Sequence, residues 1–270
     1  MRSNRLKYRF PSRAYTVARW PSFHALFPTQ LSPEVRQLSL YDCCLMAGLS
    51  SPSYTRKISG FSHRAVRAVA KGQMRLMRTN AYHNHAHVAQ VILAAGLLAD
   101  AAEIGQMERD ILILAALIHD YGHLGARRNK TDFWQEYYSC DKAIPRLIKG
   151  GMDSRLSGLL YEMVYHTSPK ANAPDSFIKG NDCLSLLLDA DLFASLFLPK
   201  QQVDSLTAKL KYEDRLLMPV ADLRNGFLQI CAEKGFASLA GQRLHDALAP
   251  HMTYMPDTTY MPDTTYLGEA

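Results

Sequence analysis

From Phe61 to the start of the C-terminal tail, apolar residues recur at three- and four-residue intervals, and no alternating run of strand type interrupts them. That single periodicity rules out a sheet-based core and predicts helices over 62–79, 84–103, 107–121, 131–148, 154–166, 181–197, 201–213, 219–233 and 236–248. A further short helix is expected within Leu31–Ser50, where Ser32-Pro33 supplies a starting signal, and a loop over Ser50–Thr55. The expected fold class is all-α, a compact bundle of about nine or ten helices.

Composition separates the ends from the body. Before Glu34 there is no acidic residue, while Arg2, Arg5, Lys7, Arg9, Arg13 and Arg19 lie in the same stretch. The remaining 25 basic residues balance 25 acidic ones, so the net charge of +6 belongs to the leader and gives no reason to expect nucleic-acid binding by the body. At the other end Tyr254–Thr259 repeats at once as Tyr260–Thr265, with Pro and Thr at a density that disfavours helix. The expected division is a basic, disordered leader over 1–33, a catalytic domain over 34–249 and a disordered tail over 250–270. An Arg-rich, acid-free start also has the composition of a transit peptide, so a mitochondrial or plastid address stands beside a cytoplasmic one. No apolar run reaches the ~18–20 residues of a membrane span. The longest, Val88–Ala102, is broken by Gln90 and carries Asp100 near its end. Five cysteines without CxxC spacing suggest reduced, buried thiols rather than a disulfide framework or a thiolate zinc site. The sequence leaves the oligomeric state open.

Three clusters carry chemistry. Tyr82-His83-Asn84-His85-Ala86-His87 precedes an apolar helical run, and His83 and His87, four apart, share a helix face. A surface histidine patch is the plain alternative. The stretch Ile111–Ile118 reads as a buried helix and ends in His119-Asp120, followed by His123. A buried His-Asp pair is expensive without a partner. A divalent cation is a natural one, and a mixed nitrogen and oxygen donor set suits zinc, iron or manganese. A core histidine hydrogen-bonded to a helix-capping aspartate is the alternative. Finally, Asp189 and Asp191 sit within an apolar helix about 200° apart, so at most one faces a given site. Both could instead lie at a wet helix edge.

A histidine, a His-Asp pair and a later aspartate, each from a different helix, resemble the HD-type phosphohydrolases. The resemblance narrows to the catalytic domains of cyclic-nucleotide phosphodiesterases. Their Tyr-His-Asn-x-x-His motif is read at Tyr82–His87, their His-Asp-x-x-His-x-Gly-x-x-Asn motif from His119 to Asn129, and their Ala-Asp-Leu at Ala190-Asp191-Leu192. Gln90 stands where the family has Asp, the family's Asn-His-His segment is missing, and Tyr165-His166-Thr167 stands near its Thr-Asp-Met. Near the family's Gln-x-Gly-Phe base-binding segment the chain has Arg224-Asn225-Gly226-Phe227, with Arg224 at the purine-reading position.

The resemblance implies two divalent metal ions, the first zinc and the second magnesium or manganese. His87, His119, Asp120 and Asp191 would be ligands, with Asp120 bridging. A hydroxide between the cations would attack a 3′,5′-cyclic nucleotide, and His83 would protonate the leaving ribose oxygen. Tyr82 and Phe227 would contact substrate, His123 would orient ligands or water, and His166 is a candidate at the second metal. Two other readings remain: another HD phosphohydrolase acting on a nucleotide or alarmone, and a non-catalytic binding protein keeping the fold.

Overall fold

The structure, a computed structural model, describes residues 39–125, 134–168, 182–196 and 200–248. Within that range the chain is all-α, with no strand. The helices are α1 (Leu40–Met46), α2 (His63–Leu76), α3 (His85–Ala102), α4 (Gln106–Ile118), α5 (Trp134–Lys149), α6 (Leu156–Tyr165), α7 (Asp182–Leu196), α8 (Lys200–Asp214), α9 (Val220–Lys234) and α10 (Leu239–Leu248). The described bounds fall close to those the periodicity predicts. The proposed leader and tail, Ser32-Pro33 and the repeat lie outside the described residues.

One local expectation, a short helix within Leu31–Ser50, is met within the described residues, and one needs correction. The first helix covers only Leu40–Met46 of the described part, opened by a capping box between Ser39 and Asp42. The segment expected as a loop is coiled. Ser51 caps a single α-turn, Pro52–Tyr54, that runs into a π-helical turn, Thr55–Ser59. Asp110 of α4 explains the coiling. Its fully buried carboxylate accepts hydrogen bonds from the Ser50 amide and hydroxyl and from the Ser59 hydroxyl, drawing both ends of the segment together.

Helix α3 is the central strut, apolar on nearly all sides, and α1, α4, α7 and α10 pack around it. By length and composition it could cross a membrane, which the broken run Val88–Ala102 did not lead one to expect. It is nonetheless 72% buried inside the protein, as the core helix of a bundle is. Its crossing with α1 is close enough that a Cβ on Gly96 would lie 2.7 Å from the Ala47 backbone. Only glycine fits there.

Candidate active site

Asn84 starts α3. Its side chain accepts from the Ala86 amide at 2.8 Å, while its own amide donates to the Ala81 carbonyl at 2.8 Å. This N-cap puts His87 in the first turn, with its ring inside the bundle and 4% exposed. From the opposite side, α4 delivers its apolar run into the core and ends on His119, its C-cap residue. His119 Nδ1 lies 2.8 Å from the Ala116 carbonyl, which can only accept. The Nδ1 proton is thereby fixed, and Nε2 is left with its lone pair toward the site.

Four donors converge. His87 Nε2 is 3.2 Å from Asp120 Oδ2 and 3.3 Å from Asp191 Oδ1; His119 Nε2 is 3.2 Å from Asp120 Oδ2 and 3.9 Å from Asp191 Oδ1. The two Nε2 atoms are 3.4 Å apart. Burial works against charge on His87, but its hydrogen bonds to Asp120 and Asp191 push its pKa up to about 10. Desolvation works against charge on the partly buried Asp120 too, yet His119 and His83 hold it well below the usual carboxylate range. Two imidazole nitrogens and two carboxylates around one point fit a divalent cation, which would take the place of the shared proton. The same helix settles the Asp189 alternative. Asp189 is turned away, accepting from the Ala237 amide at 2.7 Å and the Ser238 amide at 2.8 Å in the turn that leads into α10.

A second group stands beside the first. His83, Asp120 and His123 also bring donor atoms within 4.8 Å of one another. The rings of His83 and His123, however, stack at 3.8 Å with 20° between planes, so their lone pairs run side by side rather than converging. That is poor geometry for two ligands on one ion. His83 is held differently: its Nδ1 lies 2.6 Å from Glu213 Oε1, and the Tyr82 amide donates to Glu213 Oε2 at 2.6 Å. Glu213, 3% exposed, feels burial pushing its pKa up, but the His83 hydrogen bond and charge and the Tyr82 amide pull it down to about 2. The carboxylate therefore fixes the His83 proton on Nδ1 and leaves Nε2 as the ring nitrogen that Glu213 does not engage.

The turn after His119-Asp120 is tied to this group. His123 Nδ1 accepts from the Gly125 amide at 3.0 Å, and the Asn80 amide donates to the carbonyls of both His83 and His123, at 2.9 and 2.7 Å. Gly125 has φ +56°, and a Cβ there would lie 2.8 Å from Asn80 Oδ1, so the turn requires glycine twice over.

Two comparisons, with protein-family models and with curated proteins, found no match. Comparison with solved structures did. LmjPDEB1, solved in complex with IBMX, superposes with a TM-score of 0.60 at 17% identity, covering 80% of this chain and 83% of that one. The phosphodiesterase domain of the RhoPDE fusion protein from the choanoflagellate Salpingoeca rosetta gives 0.59 at 16%, covering 86% and 92%. The fold is that of phosphodiesterase catalytic domains. At this identity the chain is a divergent example of it.

Set on the phosphodiesterase fold, the residues singled out by motif divide. His83, His87, His119, Asp120, His123 and Asp191 come together. Tyr82 joins them as a wall, its ring centroid 5.0 Å from that of His87 and only 8% of the residue exposed. His166 caps α6 and enters neither His/Asp group among the described residues. Phe227 lies on α9, but its side chain is outside the described residues. Arg224 is engaged by Asp204 at 2.7 Å and by Asn225. Asn129 also lies outside the described residues, and three residues separate it from Gly125 where the phosphodiesterase motif has two, so that match holds only as far as Gly125.

Sequence reasoning missed Glu213. A signal for it existed. Val203, Leu206 and Leu210 form the inward stripe of α8, and Glu213 is the next position on that stripe. A carboxylate where a core residue is due marks a buried partner.

Proposed function

We propose that the chain is a metal-dependent phosphodiesterase that opens a 3′,5′-cyclic nucleotide to the 5′-monophosphate. The observation that carries this reading is the side-by-side placement of two unlike centres. A four-donor cluster, His87, His119, Asp120 and Asp191, fits a divalent cation, and an oriented imidazole, His83 on Glu213, stands next to it. A cyclic phosphodiester needs both, charge neutralisation at the phosphoryl group and a proton for the departing ribose oxygen.

Two divalent ions, the first zinc and the second magnesium or manganese, would supply Lewis acidity and an acidified water. His87, His119, Asp120 and Asp191 would hold the first, and Asp120 would reach toward the second. The chain's own groups do the rest. His119 is locked in the ligating tautomer by the Ala116 carbonyl. His83 presents Nε2–H to the leaving oxygen once protonated, with Glu213 balancing its charge. His123, stacked on His83, holds that ring in plane.

Arg224, engaged by Asp204 where the resemblance expects a purine-reading glutamine, favours a second reading, an HD-type hydrolase of another nucleotide or alarmone. A hydrolysis screen of the metal-loaded protein tests both. Cyclic AMP, cyclic GMP, other cyclic mononucleotides and common nucleotides should be assayed together. Turnover of a cyclic substrate to its 5′-monophosphate is expected. Turnover confined to non-cyclic nucleotides would replace the first reading with the second.

A further inference from the structure

A separate cleft opens on the outer side of α2. Its volume is about 550 Å³, and its described lining is Lys71, Met74, Arg75, Arg78 and Thr79. That is the size of a small-molecule site, and it shares no lining residue with the His/Asp groups. Lys71 and Arg75 stand one turn apart on the exposed face of the helix, and Arg78 and Thr79 follow in the turn that leaves it.

Three like charges gathered here call for an explanation. A cation in the last turn of a helix is favoured by the helix dipole, which accounts for Arg75. Lys71 is a turn too early and Arg78 lies past the end, and a like-charged pair four residues apart costs rather than gives stability. α2 bears no acidic residue along its whole length. None of the three cations has an ion-pair partner among the described residues, whereas Arg67 on the same helix lies over the Tyr41 ring and donates to its hydroxyl. The charge is therefore concentrated in the cleft and left unbalanced there among the described residues.

We infer that this cleft binds a soluble small molecule carrying adjacent phosphate groups, of the nucleoside-triphosphate kind, apart from the hydrolytic centre. Two guanidinium groups and an ammonium supply charge-assisted donors to successive phosphates, with the Thr79 hydroxyl beside them. Met74 offers an apolar surface for the rest of the ligand.

The test is calorimetric titration of the full-length, metal-loaded protein with ATP, in excess magnesium and about 0.15 M salt, where exposed charges are well screened. Saturable binding of one ATP per chain is expected. The triple variant K71A/R75A/R78A should bind at least tenfold more weakly, and the single charge reversal Arg75→Glu should weaken binding in the same direction. Arg64→Ala, on the same helix but outside the cleft, should change it by less than twofold. All four side chains are exposed, so melting temperatures should match the parent and confirm folding. Equal ATP affinity in the parent and the triple variant would place binding at the metal centre and overturn the inference. So would the absence of saturable binding at this salt. Two further results also overturn it: binding only to anionic lipid vesicles, which would make the patch a membrane surface, and ATP binding seen only after removal of residues 249–270, which bear Asp257, Asp263 and Glu269.

Discussion

His83 is where the proposed chemistry is most exposed to test, because it sits four residues before His87 and yet is held by a carboxylate rather than by the four-donor cluster. If it delivers the proton, His83→Ala keeps its bound metal while turnover falls by about 10²–10⁴. The loss should shrink on a p-nitrophenyl phosphodiester, whose leaving group needs no proton. Metal analysis and the two rate ratios decide the matter, and loss of metal with equal damage to both substrates would make His83 a ligand. Glu213 gives a stability test with a defined sign. Its folded pKa of about 2 lies below the ordinary value of 4.5, so its contribution is present above 4.5 and is lost as pH falls through the window down to about 2. Glu213→Gln should therefore melt below the parent at pH 7, and the gap should narrow as pH drops below 4.5. A gap constant with pH would count against an ionised, paired Glu213. His83, His87 and the His-Asp pair were legible in the sequence because short spacing and an apolar run announce them. Glu213 lies 130 residues from its partner, so the inward stripe of α8 could signal a buried partner but not that the partner is His83.

Helices show a similar division between what pattern reveals and what packing decides. Apolar periodicity located α2 through α10, most of which bury a face, but it could not foresee the coiled segment Pro52–Ser59, whose shape is dictated by Asp110 on a distant helix. Nor could it tell which of Asp189 and Asp191 turns inward toward the histidines. That choice follows from where α10 begins, since Asp189 accepts from the Ala237 and Ser238 amides just before it, and Ser238 in turn caps its first turn through the Gly241 amide. At the α1–α3 crossing the backbones touch at Gly96, so Gly96→Ala forces a shift of Ala47. The expected cost is about 1–3 kcal/mol, a fall in melting temperature of roughly 2–12 °C for a chain of this size. An unchanged melting temperature would mean that the crossing is looser than described.

On the scale of the whole molecule, the four candidate ligands come from α3, the end of α4 and α7, elements that meet around one core. A cation held by all of them ties the bundle together, so chelation should lower the melting temperature and added zinc or manganese should restore it. A melting curve indifferent to chelator would remove the ion from that position. The wide spacing of these ligands along the chain also has a kinetic consequence. Asp191 can join His87 and His119 only after α7 has docked on α3 and α4, a long loop closure that belongs late in folding. Contacts absent from the folding transition state act on the reverse rate. Saturating metal should therefore leave the refolding limb of a chevron nearly unmoved and slow unfolding, making the ion a latch that fastens the finished protein rather than a nucleus around which it forms.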